Sequence, residues 1–169
     1  MSNNLYHKLI IPATDGMYRY ALSIVREPET ARDVVQDCLA KIWKIRHELT
    51  GIEKANAWAF RIVRNRCIET LRRNRYTDLD DQVIGLKSSS TADQKTINED
   101  QMAWLKEVLC TLSEKQQEVF HLREVEEMSY QEIAETCGLS EGDVKINLHR
   151  ARKKVKDAMK KIEAYGIVN

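Results

Sequence analysis

The stretch SYQEIAETCGLSEGDVKINLHRARKKVK, residues 129–156, predicts two short helices joined by a tight turn. Ser129 followed by Glu132 is a capping box, which is a start signal for the first helix. Gly138 supplies the turn, and a second Ser-x-x-acid signal at Ser140 opens the next helix. Two helices separated by a glycine turn form the helix-turn-helix pattern that proteins place in the DNA major groove.

The second of these helices combines an apolar seam with basic outer faces, although a plain amphipathic hairpin with a solvated basic face would have the same spacing. Apolar residues recur at steps of three and four, which places them on one side of a helix. Ile146 projects away from that side, so we expect it to be exposed. Beside Lys145 and Asn147, an exposed isoleucine suits a thymine methyl and a base edge. The seam is Val144, Leu148, Ala151, Val155, Ala158 and Ile162, and the cationic side chains are Lys145, His149, Arg150, Lys153 and Lys156.

Composition favours helices, and the charge is unevenly distributed. The 169 residues include six Gly and two Pro, and so few helix-breaking residues predict long helices and an all-α fold. The formal net charge is only +1, yet residues 61–75 hold six Arg and one Glu, and residues 145–161 are more basic still. The intervening residues 78–100 are acidic. Two basic segments separated by an acidic one indicate a nucleic-acid partner despite the neutral sum.

Enzyme, metal-site and membrane motifs are missing from the sequence. The four cysteines are far apart, and each lies in a predicted helix beside apolar residues, so we expect buried free thiols and a reducing cytoplasm. The histidines show no metal-ligand spacing, and no phosphate loop or nucleophile elbow occurs. We therefore expect no cofactor and no enzymatic activity. Residues 1–24 lack a continuous apolar core, which predicts neither a signal peptide nor direct membrane insertion.

Three amphipathic helices are predicted in a first domain, residues 1–76. The first ends near Pro28, and the second begins at Glu29 or Thr30. A loop-like segment around Gly51 precedes the third helix, which runs from about residue 55 to residue 75. The expected buried residues are Met17, Tyr20, Ala21 and Ile24 in the first helix, Ala31, Val34, Val35, Cys38, Leu39, Ile42 and Ile45 in the second, and Ala59, Ile62, Val63 and Cys67 in the third.

A change in composition marks a boundary after this domain. Residues 77–100 lose the helical periodicity and contain a Ser/Thr run between acidic residues, which is typical of a flexible linker. Periodicity resumes in residues 101–169, where Ser113 and Gln116 form another capping box ahead of the helix-turn-helix. The predicted fold is two small helical domains joined by a flexible acidic linker.

Two segments of the chain resemble one known family. DVVQDCLAKIWK (residues 33–44) and AWAFRIVRNRCIETLRR (residues 57–73) resemble region 2 of bacterial RNA polymerase sigma factors of the extracytoplasmic-function (ECF) type. Residues 112–156 resemble region 4 of the same family, in the family's order. The resemblance implies an alternative sigma factor that binds core RNA polymerase, directs it to specific promoters and assists promoter opening.

The resemblance also implies protein partners. In the family, the helix matching residues 33–43 docks on the clamp helices of the large polymerase subunits, whose flap is a further contact, and an anti-sigma factor commonly holds the protein inactive. An exposed acidic pair is the alternative interpretation of Asp33 and Asp37, although like charges at this spacing are mildly unfavourable. The residues that the resemblance assigns to core polymerase are Asp33, Gln36, Asp37 and Trp43.

Recognition of the −10 promoter element is implied for the third helix and the loop before it. Cations there would hold phosphates, and the loop around Lys54 and Asn56 matches the place where the family captures a flipped base. Trp58 and Phe60 offer rings for stacking on single-stranded bases, but both could equally belong to the core. The residues assigned to the −10 element are Lys54, Asn56, Trp58, Arg61, Arg64, Asn65 and Arg72.

Recognition of the −35 element is implied for the helix-turn-helix. Many relatives carry Ser-Arg where this chain has Ile146 and Asn147, and the exchange should shift base preference towards A·T-rich contacts. The residues assigned to the −35 element, including supporting positions near phosphates, are Arg123, Tyr130, Gln131, Asp143, Lys145, Ile146, Asn147, His149, Arg150 and Lys153.

The acidic linker and two rival functions remain open at this point. In the family the linker threads the active-site cleft and RNA exit path, but a bare spacer would have the same composition. Its acidity also predicts that the free protein folds back, with the linker near the basic faces of both domains. A dimeric helix-turn-helix regulator acting without polymerase would leave the first-domain segments unexplained. A pure interaction module would leave both basic segments unexplained.

Overall fold

The structure, a computed structural model, describes residues 2–80 and 107–164, which form helices joined by short turns and contain no strand. A π-helical turn (Tyr6–Ile10) and a 3-10 turn (Ile11–Ala13) follow the first helix, and a 3-10 segment (Arg46–Gly51) follows the third. Residues 107–110 are helical where the second described range begins. The α-helices are α1 (Ser2–Leu5), α2 (Thr14–Val25), α3 (Pro28–Lys44), α4 (Ala55–Asp80), α5 (Glu114–Glu124), α6 (Tyr130–Cys137) and α7 (Glu141–Ala164).

The junction between α2 and α3 is built by local capping. Arg26 has a left-handed backbone (φ 59°), and its N–H donates to the carbonyl of Leu22, which ends α2. The Glu27 side chain then accepts from the N–H groups of Glu29 and Thr30, and Pro28 occupies the first turn of α3. The predicted start at Glu29 or Thr30 is therefore late by one or two residues, because the cap is a glutamate, which is a less usual capping residue.

Two predicted boundaries in the first half differ from the structure. The segment expected as a loop around Gly51 forms a 3-10 helix that begins at Arg46, and the side chain of Leu49 in this helix is buried. Helix α4 continues to Asp80, whereas residues 77–80 were predicted as linker. No glycine or proline interrupts the chain before Gly85, so nothing in the local sequence stops the helix at residue 76. Residues 81–100 of the predicted linker lie outside the described residues.

Helix starts in the second half follow the sequence signals. Ser113 and Gln116 form a reciprocal capping box at α5, and Ser129 and Glu132 form one at α6. Gly138 ends α6 with a left-handed backbone at φ 66°, a conformation in which a side chain would be strained. These predictions are confirmed. They succeed because each depends only on residues within one turn of one another.

The core is continuous between the two halves of the chain. Helix α4 packs on α6, and α2 packs on α5. Val63 and Phe60 of α4 belong to the same buried cluster as Ile133 of α6 and Leu122 of α5. Phe60 is 2% exposed, which places it in the core and not on a DNA-facing surface. The two helical units therefore pack against each other through one apolar core. We call this packed arrangement of the free chain closed.

Three of the four cysteines match the expected buried thiols, and the fourth does not. Burial raises the pKa of Cys38 to about 11 and that of Cys67 and Cys137 to about 12, so these thiols stay protonated and unreactive at neutral pH. Cys110 is exposed, because it lies at the end of the helical segment 107–110, where the chain turns. The prediction of burial was wrong there.

Candidate nucleic-acid interface

The helix-turn-helix presents its polar face to solvent, as the apolar seam of α7 predicts. Val144, Leu148 and Ala151 are buried, whereas Ile146 between them is 51% exposed. Within the set assigned to the −35 element, the exposed residues are Gln131, Asp143, Lys145, Ile146, His149, Arg150 and Lys153, and the partly buried ones are Arg123, Tyr130 and Asn147.

Tyr130, the first residue of α6, lies between two cations. The guanidinium of Arg123 is 5.3 Å from its ring centroid, and the Lys145 ammonium is 5.9 Å away. Arg123 also donates a 2.7 Å hydrogen bond to the carbonyl of Met128, which fixes the turn before α6. The ring therefore holds cations from α5 and α7 at one edge of the helix-turn-helix, an arrangement suited to a phosphate.

Asp143 and Asn147 are partly committed to the helix itself. The Ser140 hydroxyl accepts from the N–H of Asp143 at 3.0 Å and donates to its carboxylate at 2.8 Å. The side-chain amide of Asn147 donates to the Asp143 carbonyl at 2.8 Å. This leaves the Asn147 amide oxygen, one amide hydrogen and the Ile146 side chain for base edges.

An open groove of about 370 Å³ lies at the start of α4. Its walls come from the end of the 3-10 connection and the first two turns of α4, and Trp58 is partly buried at its edge. An aromatic ring can stack on a base, while the cations beside it neutralise the phosphate. The lining residues are Ile52, Glu53, Lys54, Ala57, Trp58, Arg61 and Glu135, and the last of these belongs to the second half of the chain.

The side chains assigned to the −10 element divide into an open and a covered set. Arg61, Asn65 and Arg72 recur at helical spacing on one face of α4 and are exposed. Asn56 is also exposed, but it projects from a different side of the first turn of α4. Lys54 and Arg64 are partly buried, each with 26% of its side chain exposed. Both of these cations form ion pairs with the second half.

Carboxylates of α5 and α6 form those ion pairs. Glu118 accepts from Nε and Nη2 of Arg64 at 2.7 and 3.3 Å, and the Tyr20 hydroxyl donates to it at 2.5 Å. Glu135 accepts from Lys54 Nζ at 2.7 Å. Burial raises the pKa of Tyr20, and the Glu118 carboxylate raises it further, so the phenol remains a donor.

A third carboxylate, Glu126, lies between α5 and α6 and contacts α2. Both of its oxygens accept from Arg19, at 2.9 and 3.0 Å, and its side chain is 6% exposed. Nε2 of His121 is 3.2 Å from the same carboxylate, at an angle unsuited to a hydrogen bond. The imidazole stacks on Tyr20 with ring centroids 6.0 Å apart.

Acidification is expected to destabilise the folded chain through His121. Burial lowers its folded pKa below the usual 6.5, Glu126 opposes that shift, and Arg19 adds to it. Because the unfolded chain binds this proton more readily, the stabilisation is present above about pH 6.5 and is lost as the pH falls towards the folded pKa. Urea denaturation at several pH values measures the effect. The His121→Gln chain should lose less stability between about pH 7.5 and 5.5 than the wild type, and an equal loss would contradict the prediction.

The surface assigned to core polymerase is an exposed strip of α3. Asp33, Gln36 and Asp37 face solvent, and Trp43 is 37% exposed at the end of the strip. Asp37 has a basic partner within the chain, since Nη2 of Arg66 on α4 is 2.7 Å from its Oδ2. Arg66 therefore neutralises the charge of Asp37 within the chain, whereas the carboxylate of Asp33 is exposed and has no ion pair among the described residues.

The carboxylates at the junction were absent from the sequence predictions. Glu118, Glu126 and Glu135 have no special spacing, and only the packing of α5 and α6 on the first half brings them to their basic partners. Among the described residues, no cluster of His, Cys, Asp or Glu is arranged to hold a metal ion. None of the described helices has the length and apolar character needed to cross a membrane.

Comparisons with known proteins identify the family. The family described as sigma-70 region 2 matches residues 14–77, and the family described as sigma-70 region 4 matches residues 102–155. The chain is 30% identical to an RNA polymerase sigma-E factor of Streptomyces coelicolor, over 86% of this chain and 80% of the relative. It is 31% identical to the ECF RNA polymerase sigma factor SigL of Mycobacterium tuberculosis, over 80% of this chain and 77% of the relative.

A solved structure has the same overall fold. The sigma factor RpoE of Bartonella quintana, in complex with the anti-sigma factor NepR, matches with a TM-score of 0.71 and 25% identity. The match covers 92% of this chain and 96% of that chain. With both regions matched in order, and with a relative that is itself named an ECF factor, this chain belongs to the sigma-70 family and is an alternative sigma factor of the ECF type, which directs RNA polymerase in transcription initiation.

Proposed function

We propose that this sigma factor reads the −35 element with α7 and the −10 element with the groove and exposed face of α4, while the exposed strip of α3 binds core polymerase. The observation that carries the proposal is that one chain presents both an exposed basic recognition helix and a separate groove lined by Trp58, Lys54 and Arg61. The first reads duplex DNA, and the second accepts an unstacked base.

The division of labour follows from the chemistry of each surface. Lys145, Arg150 and Lys153 are charges that hold phosphates and set the register of α7, whereas Ile146 offers an apolar contact that a phosphate cannot use. Arg61 and Arg72 lie along one exposed face of α4 and can follow a single strand. The proposal takes residues 1–76 and 101–169 as the two functional units, with the connecting segment between them.

The proposed role needs neither a cofactor nor a catalytic group of the chain's own, because the polymerase supplies the chemistry. Because it acts on polymerase and chromosomal DNA, the proposed location is the cytoplasm. An anti-sigma factor is a proposed further partner, since the relative of known structure was solved with one.

Transcription in vitro tests the proposal. Core polymerase of the source bacterium, mixed with this protein and a fragmented genomic library, should begin transcripts at a defined set of sites that core alone ignores. Those sites should share two sequence elements at a constant spacing. Uniform or absent starts across the library would refute the proposed function.

Substituting Ile146 should alter base preference without altering the electrostatics of binding. In Ile146→Ser the methyl contact is lost and no charge changes, so preference should shift at one −35 position with the salt dependence unchanged. Arg150→Ala is the contrasting variant. Loss of a phosphate contact would weaken binding to all sequences and reduce the salt slope by about one. Selection from a randomised −35 library measures both, and identical sequence logos for wild type and Ile146→Ser would show that Ile146 does not read bases.

A further inference from the structure

The second half of the chain covers part of the proposed −10 surface. Glu118 engages Arg64 through both carboxylate oxygens, and Glu135 lies at the mouth of the groove, 2.7 Å from Lys54. A bidentate carboxylate uses the same N–H donors of a guanidinium that a phosphate would use. These contacts and a DNA backbone therefore compete for the same two cations.

The covering contact is firmly packed. Thr136 is 1% exposed, and its hydroxyl donates a hydrogen bond to the Ala57 carbonyl at 3.3 Å. Glu118 is 14% and Arg64 26% exposed in their side chains, so water screens this pair less than a surface pair. Apolar residues from both halves fill the space behind it. A strand of DNA cannot reach Arg64 unless α5 and α6 move away.

We propose that Glu118 and Glu135 are autoinhibitory carboxylates that mask Arg64 and Lys54 of the −10 surface in the free chain, while Glu126 holds the junction through Arg19, and that the masking is released when the two halves separate on the polymerase. The inference rests on the proposed −10 role of Lys54 and Arg64. The −35 surface is not masked, since Ile146 and Arg150 of α7 remain exposed. Acidic residues of the folded second half perform the masking, and the linker is not required for it.

Gly16 offers a way to open the contact without touching a DNA-binding residue. It lies in α2, where a Cβ would be 2.5 Å from Oε2 of Glu126 and 3.1 Å from Cζ of Phe60. The missing side chain lets Glu126 approach the helix and reach Arg19. In Gly16→Ala the methyl group displaces this carboxylate, and alanine favours the helix itself. The substitution should therefore loosen the junction, with a shift of a few tenths of an ångström of the Phe60 ring inside the first half.

The test uses the full chain and a fluorescent single-stranded oligonucleotide carrying the −10 sequence obtained from the transcription experiment. Fluorescence anisotropy gives the affinity, and X-ray scattering gives the radius of gyration, which is about 15 Å for a compact chain of this length. The opened variants are Gly16→Ala and the double variant Glu118→Gln with Glu135→Gln. The control is Glu124→Gln, which removes a carboxylate that pairs with Arg152 inside the second half.

Both opened variants should expand and bind the single strand about tenfold more tightly, if the open form is about a tenth of the free wild-type chain. Affinity for a −35 duplex should stay the same, and the control should match the wild type in every measurement. Expansion without a gain in affinity would overturn the masking. Unchanged size and affinity would show that these contacts do not hold the chain closed, and would overturn it too. Failure of the proposed function would instead appear with the holoenzyme, as promoter opening that is unaffected by Lys54→Ala and Arg64→Ala.

Discussion

Holoenzyme carrying Trp58→Ala is expected to form open promoter complexes about tenfold to a hundredfold less well than the wild type. Trp58 is the aromatic side chain at the edge of the groove, beside Lys54 and Arg61. Stacking of one base on an aromatic side chain is worth about 1–3 kcal/mol, and about 1.4 kcal/mol corresponds to a factor of ten. The loss should fall on strand separation, because the proposed duplex contacts at the −35 element belong to α7. Permanganate reactivity of unpaired thymines measures the open complex directly.

Two further variants separate stacking from stability. Trp58→Phe keeps an aromatic ring and should retain most of the open complex. Met159→Ala removes an apolar side chain near the end of α7 that is 50% exposed and outside the groove, so it should leave promoter opening unchanged. Circular dichroism of each free protein reports whether the helices persist. Wild-type permanganate reactivity in a folded Trp58→Ala holoenzyme would show that the groove does not hold a base by stacking.

Short-range features could be predicted from the sequence because their causes are local. The capping boxes at Ser113 and Ser129 and the left-handed Gly138 involve groups within one helical turn, so the residues themselves specify the geometry. The exposure of Ile146 follows in the same way from the seam of α7. Boundaries were less predictable. Glu27 caps α3 although glutamate is an unusual choice, and α4 continues to Asp80 where the polar composition predicted a linker.

Features that depend on contacts between distant residues could not be predicted. Phe60 lies on a helix rich in cations, and only the packing of α4 against α2 and α6 decides that it is buried while Trp58 lines the groove. Arg64 shares a spacing pattern with Arg61, yet it faces Glu118, which is 54 residues away in the chain. Periodicity reports which face of a helix is apolar, but it carries no information about which element covers a polar face.

The same limit applies to the acidic pair of α3. The i,i+4 spacing of Asp33 and Asp37 predicts two exposed like charges, a mildly unfavourable pair that a basic partner would rationalise. Arg66 of α4 supplies one to Asp37 at 2.7 Å, so Asp33 is the member of the pair that is exposed without an ion pair in the part of the chain that the structure describes. Substituting Asp37 would thus change an internal ion pair and the polymerase surface together. Asp33 is the better position at which to test the surface.

Asp33→Arg is expected to weaken binding to core polymerase by at least about tenfold. If basic residues of the partner face this strip, the substitution replaces an attraction by a like-charge contact, which costs several kcal/mol when the charges are desolvated. Competition with a labelled sigma factor for core polymerase measures the affinity. Glu48→Arg, an equal change of charge in the 3-10 segment that follows α3, is the control. Asp37→Arg should weaken binding as well, and it should also lower the free energy of unfolding, because the new arginine faces Arg66. Within the described part of the chain Asp33 forms no ion pair, so the substitution tests the surface alone. If Asp33→Arg leaves the affinity for core polymerase unchanged, this strip of α3 is not part of the polymerase interface.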